Sequence, residues 1–180
     1  MNNRKMIAGL IGAGRAALLG VSVWGVCACA MGMPQGYVPE IDVHAANYTD
    51  DYIHEYHLET IDGGNLHAGG SRIKPFSKGG TGGTECCAAL PGVGQRIRIA
   101  WKTGDYNDLP SAWSTHVATT IVKGETSDDP DTDNYLIVRF FSHEQVEAEY
   151  IAQSIKFGSS RSPRADQLFT GQRVMRHPGE

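Results

Sequence analysis

The sequence predicts a mainly β fold: a small β-sandwich-like domain of six to seven antiparallel strands with long glycine-rich loops, set behind an N-terminal signal peptide. Three observations lead there. Short segments rich in Ile, Val, Thr, Tyr and Phe alternate apolar and polar residues, the period that sends successive side chains to opposite faces of a strand. The 22 glycines and 8 prolines mark frequent turns, and strong amphipathic helices are scarce. A length of 180 residues fits one domain plus a targeting segment.

Residues 1–28 read as a lipoprotein signal peptide. Arg4, Lys5 and Arg15 give a positive region, and Ala16 to Ala28 form an apolar stretch of signal-peptide length. It ends in Val26-Cys27-Ala28-Cys29, an aliphatic residue, a small residue and a cysteine at the spacing that signal cleavage and acylation need, which makes Cys29 the lipidation candidate. Acceptance at Cys27 would place Trp24 and bulky Val26 where smaller residues belong. Two alternatives stay open: a transmembrane anchor over residues 16–33, which only just reaches the minimum span and holds three glycines, and an ordinary cleaved signal without lipid. Gly12-Ala13-Gly14 partly matches a dinucleotide fingerprint but lacks its acidic partner and its βαβ setting. With Ala30 after the cysteine, sorting in a Gram-negative cell favours the outer membrane, facing the periplasm. Residues 29–39 form a tether interrupted by Pro34, Gly36 and Pro39.

The β-rich domain spans 40–157. Strands are expected near 41–48, 52–60, 96–103, 115–123 and 135–142, with another near 146–157. Ile97, Ile99 and Trp101 share a core face opposite Arg96, Arg98 and Lys102, and the nearly continuous apolar run Tyr135 to Phe141 suits a central strand covered on both sides. Asp50-Asp51 suits a tight connection between the first two strands. Residues 61–94 read as a long glycine-dense connection, with a short strand around 64–71 as an alternative. Residues 124–134 form a polar acidic loop, and 158–180 a weakly ordered, Arg-rich tail. Ser142 to Lys156 is the best helix candidate by capping spacing, yet Val146, Ala148 and Tyr150 alternate like a strand.

Charge narrows the partners. Residues 1–28 contain three basic residues and no acid, so the remainder carries 13 basic against 20 acidic residues, a net of −7. Such a surface repels phosphate backbones, and nucleic acid is not an expected partner.

The motif search yields no catalytic residue, cofactor or metal. Cys86 and Cys87 are neighbours with no distant partner, so an oxidising compartment would leave them as free small side chains or as a vicinal disulfide. His54 and His57 fall on opposite faces of a strand. His143-Glu144-Gln145-Val146-Glu147 lacks the second histidine of a zinc helix, and Asp129, Asp131 and Asp133 start a calcium-like pattern that Asn134 and Phe140 break. Carboxylate pairs such as Asp51 with Glu55 are too common to single out a glycosidase.

The lipobox, Asn47-Tyr48-Thr49, Tyr52-Ile53, Gly63-Gly64-Asn65, the glycine run into Cys86-Cys87-Ala88-Ala89-Leu90-Pro91, and the alternating strand ending in Trp101-Lys102 together resemble a bacterial lipoprotein family, domain of unknown function 3304, over about residues 41–157. A longer 72–85 insertion and the Arg-rich tail depart from its usual pattern. The resemblance implies a non-enzymatic immunity protein, because genes of that family often neighbour those of secreted antibacterial phospholipase effectors. The alternative is an envelope structural or adaptor lipoprotein. Under the immunity reading, Tyr48, Tyr52, Tyr106 and Trp113 are expected as aromatic anchors for a protein partner, with Asp128, Asp129, Asp131 and Asp133 steering a basic surface toward them.

Overall fold

A computed structural model describes residues 35–166 and 177–180, so the leader and Cys29 lie outside the described residues. Eight strands follow one another: β1 (Tyr37–Asn47), β2 (Tyr52–Glu59), β3 (Asn65–Ile73), β4 (Glu85–Pro91), β5 (Arg96–Gly104), β6 (Ser114–Gly124), β7 (Thr132–Phe140) and β8 (Val146–Ser154). Two 3-10 turns, 76–78 and 110–112, are the helical elements among the described residues. None of these is long and apolar enough to cross a membrane.

The fold is mainly β, but it is not a sandwich. One sheet runs β3-β2-β5-β6-β8-β7-β1-β4, and its two end strands approach each other to form a nearly closed, barrel-like shape. Gly83 N–H donates to Ser71 C=O at 2.8 Å and Lys74 N–H to Thr81 C=O at 3.0 Å, joining the end of β3 to the segment that leads into β4. Closure satisfies edge groups that an open sheet would leave unpaired. The approach demands glycine: a Cβ on Gly70 would lie 2.4 Å from the Gly83 carbonyl oxygen, and within the β2–β3 pair one on Gly69 would lie 2.1 Å from that of Tyr56.

Two strand pairs also correct the antiparallel expectation. β1 runs parallel to β7, Asp42 opposite Tyr135 through Asn47 opposite Phe140, and β6 runs parallel to β8. Strand periodicity fixes which face a side chain takes, not which distant strand lies alongside. The glycine-dense connection contains β3 and β4, whose alternation is hidden by Gly69-Gly70 and the cysteine pair. The 142–156 segment is β8, because Val146, Ala148 and Tyr150 pack inward while Glu147 and Glu149 face Arg139. The strand begins inside the expected tether: Tyr37 and Val38 pair with Pro91 and Leu90 of β4. Pro39 is tolerated because the ladder shifts register there and β7 starts only at Asp42 on the other side.

The interior holds Ile53, Tyr56, Leu58, Ile97, Ile99, Trp101, Leu136, Val138, Phe140 and Tyr150, all fully or nearly buried. Trp101 thus sits in the core, and the Ile97-Ile99-Trp101 face is the inner face. Outside the same strands, Ala46, Tyr48, Ile137, Phe141 and Ile151 form a second apolar cluster. The segment after β8 reaches this region: Ala165 and Asp166 are buried, and Asp166 accepts from Nε of buried Arg139 at 2.8 Å. Arg164 Nε donates to Glu149 at 2.7 Å. Residues 162–166 therefore form a packed strap, for a buried arginine needs carboxylate partners that β7 does not supply.

Candidate functional site

One end of the barrel gathers the β1–β2 turn, the starts of β2 and β6, the ends of β3 and β5, and the β5–β6 and β7–β8 connections. Two hollows open there. A cleft of about 860 Å³ is lined by Asp50, Asp51, Tyr52, Arg72, Tyr106 and Asp108 among others, and a pit of about 340 Å³ by Ile53, Trp101, His116, Phe140 and Glu144 among others. They share Asp50, Asp51 and Thr103. Barrel mouths and hollows of these sizes are common ligand positions.

The loop after β5 forms the outer rim. Asp105 N–H donates to Asp108 Oδ2 at 2.8 Å, Asp108 N–H to Asp105 C=O at 2.9 Å, and Trp113 Nε1–H to Asp108 C=O at 3.2 Å. These bonds stiffen a loop whose tips point to solvent: Tyr106 is 70% exposed and Leu109 73%. Its base is aromatic. Trp113 stacks on His54 with ring centroids 4.0 Å apart, and Tyr52 meets Tyr106 edge to face at 5.2 Å. A register shift in β2 between Ile53 and Glu55 lets Ile53 join Tyr56 and Leu58 in the core, while the neighbouring Tyr52 is buried under this rim. Burial raises the Tyr52 phenol above its ordinary range, Tyr106 pushing the same way and Arg72 opposing.

Inside the pit, three side chains form a relay. His116 Nε2 lies 2.8 Å from Thr103 Oγ1, and His116 Nδ1 lies 2.8 Å from Glu144 Oε1. Trp101 stacks beneath the imidazole at 5.2 Å. Strand pairing explains the first contact, since Trp101 faces His116 and Thr103 faces Ser114, so the hydroxyl and the imidazole are diagonal neighbours on the inner face. The second contact depends on a turn in which His143 and Glu144 take φ of 60° and 57°, a left-handed conformation that costs such residues about 1–2 kcal/mol each. Sequence reading missed all three residues. Extending the Ile97-Ile99-Trp101 alternation by two would have placed Thr103 on that face, whereas nothing local signals Glu144.

The sequence-derived surface is partly assembled. Tyr52, Tyr106 and Trp113 meet at this rim. Tyr48 does not join them: it is 2% exposed, stacks on Phe141 at 5.3 Å and donates its hydroxyl to buried Asp166, so it offers no side chain to a partner. Asp128, Asp129, Asp131 and Asp133 are exposed, but β6 carries the chain from the rim at Ser114 to Gly124, and they follow at the far end. Lys156 there lies 3.1 Å from Asp131 and 3.8 Å from Asp129. Cys86 and Cys87 are joined as an exposed vicinal disulfide on β4, with the Asp42 carboxylate within 4.8 Å of the sulfurs. His54 lies under Trp113 and His57 beside Glu55, the register shift in β2 between Ile53 and Glu55 having broken the alternation that would send them to opposite faces.

Residues 46–148 match the family described as protein of unknown function (DUF3304). No curated protein and no solved structure matches the chain.

Proposed function

The chain belongs to the DUF3304 family, and from that premise we propose that it is a periplasmic lipoprotein, anchored through Cys29, that binds and blocks a secreted antibacterial effector of the phospholipase type without itself catalysing a reaction. The stiffened rim loop supports this reading most. Aromatic and apolar tips held in place before contact lose little conformational freedom on binding, which is how a modest surface achieves high affinity. Tyr106 and Leu109 are such tips, on a loop fixed by Asp108 and Trp113. The acidic balance of the domain attracts a basic partner surface and speeds encounter. A lipid anchor concentrates the inhibitor where a phospholipase acts.

The test is co-purification of the full chain with the product of the adjacent effector gene, together with survival of cells that make that product. Binding and protection are expected, with both lost in a Tyr106→Ala, Leu109→Asp chain that still folds. Neither binding nor protection by the wild-type chain would overturn the proposal and favour an adaptor role.

The Thr103-His116-Glu144 relay favours a second reading, an ester hydrolase in which His116 takes the proton of the Thr103 hydroxyl as its oxygen attacks the carbonyl carbon, gives that proton to the departing alcohol as the ester C–O bond breaks, and then activates the water that frees the acid from Thr103. Short-chain ester turnover abolished by Thr103→Val and kept by Thr103→Ser would support it. Absence of turnover leaves the relay as a structural link between β5, β6 and the β7–β8 turn.

A further inference from the structure

The large cleft is lined by both signs of charge, with Asp50 and Asp51 of the β1–β2 turn on its wall as well. In the order β3-β2-β5, the end of β3 and the loop after β5 are two strand spacings apart, roughly 10 Å. Arg72 and Lys74 stand on the first flank, with Lys78 on the turn that follows, and Asp105 and Asp108 stand on the second. Several other cations find carboxylates: Arg98 pairs with Glu59, Lys102 with Glu55, Lys123 with Glu147 and Lys156 with Asp131. Arg72, Lys74 and Lys78 have no such partner among the described residues, although carboxylates line the same cleft. Arg72 is also held at φ 57°, a conformation seldom adopted by a side-chain-bearing residue and often retained at ligand sites.

The acidic flank has a floor that only glycine leaves open. A Cβ on Gly104 would lie 3.1 Å from Asp108 Oδ2 and 3.3 Å from His54 Nε2. That imidazole nitrogen is buried and has no hydrogen-bond partner. The exposed ring of Tyr106 stands on this flank as well, as a face for a cation.

We propose that the cleft binds a small zwitterion, its phosphate between Arg72, Lys74 and Lys78 and its primary ammonium at Asp105, Asp108 and Tyr106. Three cations exceed what one carboxylate requires and suit a phosphate, which Arg72 can grip with two parallel N–H bonds. A primary ammonium suits the other flank because it donates hydrogen bonds to the Asp105 and Asp108 carboxylates. This chemistry is shared by free phosphoethanolamine and the headgroup of phosphatidylethanolamine. The inference stands independently of the effector-blocking reading.

Calorimetric titration of the full chain in mild detergent tests it, using phosphoethanolamine, inorganic phosphate, ethanolamine, phosphocholine and a water-soluble short-chain phosphatidylethanolamine. Phosphoethanolamine should bind at least ten-fold more tightly than phosphate, ethanolamine or phosphocholine, the last lacking N–H donors. Arg72→Gln and Asp105→Asn should each weaken it at least ten-fold, and Gly104→Ala should abolish it, with melting curves showing each variant folded. Tighter binding of the short-chain lipid than of phosphoethanolamine identifies the lipid headgroup as the source, and the reverse identifies a free phosphomonoester. Equal affinity for phosphate and phosphoethanolamine, no binding of either zwitterion, or charge variants within two-fold of wild type would overturn the proposal.

Discussion

Replacing Asp166 by Asn isolates the strap that follows β8. Arg139 is 1% exposed, and Asp166 is fully buried. The carboxylate accepts from Arg139 Nε at 2.8 and 3.1 Å and from the Tyr48 hydroxyl, while Glu149 and the Arg164 carbonyl take the other end of the guanidinium. An amide of the same shape keeps the packing but removes the charge and one acceptor oxygen, leaving Arg139 to Glu149 and, at 3.9 Å, to Glu147. Breaking one partner of a buried pair costs about 3–5 kcal/mol, and the remaining carboxylates put this case near about 3 kcal/mol. At a urea slope of roughly 1.5–2 kcal/mol per molar, the unfolding midpoint should fall by about 1.5–2 M. The melting temperature should drop by about 9 °C, taking roughly 3 °C per kcal/mol for a domain of this size. Tyr48→Phe, which loses one hydrogen bond to the same carboxylate, should cost about 1.5–3 kcal/mol. The two changes should be non-additive, because both act through one side chain. A midpoint shift below about 0.3 M for Asp166→Asn would refute the assignment of the strap to the folded core.

Three further outcomes are expected. Burial pulls the Glu149 carboxyl upward, but hydrogen bonds and charge from Arg164 and Arg139 outweigh it and hold the group below its ordinary range. Its stabilising share is thus present above the unfolded value of about 4.3 and lost as pH falls through the lower folded value, so urea midpoints from pH 6 to 3 should decline less steeply in Glu149→Gln than in wild type. Reduction of the Cys86–Cys87 bond should change stability by less than about 1 kcal/mol by chemical denaturation, because a bridge between adjacent residues closes no loop in the unfolded chain. Cys29→Ser should abolish incorporation of labelled palmitate and move the product from envelope to soluble fractions.

Six of the eight strands were legible from alternation, and Trp101 was placed in the core because Ile97 and Ile99 share its face. β3 was offered only as an alternative around 64–71 and β4 was not legible, since Gly69-Gly70, which serve close backbone approaches, and the cysteine pair carry no local period. Tyr48 shows the limit for single side chains: composition makes it equally an anchor or a core residue, and only the return of Asp166 over the outer face of β7 decides.

The sequence by itself determined the β character, the inward face of β5 and the acidic balance of the domain, all properties of neighbours in the chain. Tertiary structure alone decided the closure of the sheet, the parallel β1–β7 and β6–β8 pairs, and the meeting of Thr103, His116 and Glu144. The physical reason is reach: a period of two orients side chains across a strand, whereas lateral strand order is chosen by the joint burial of both faces of β7 and by the partners that a buried Arg139 requires.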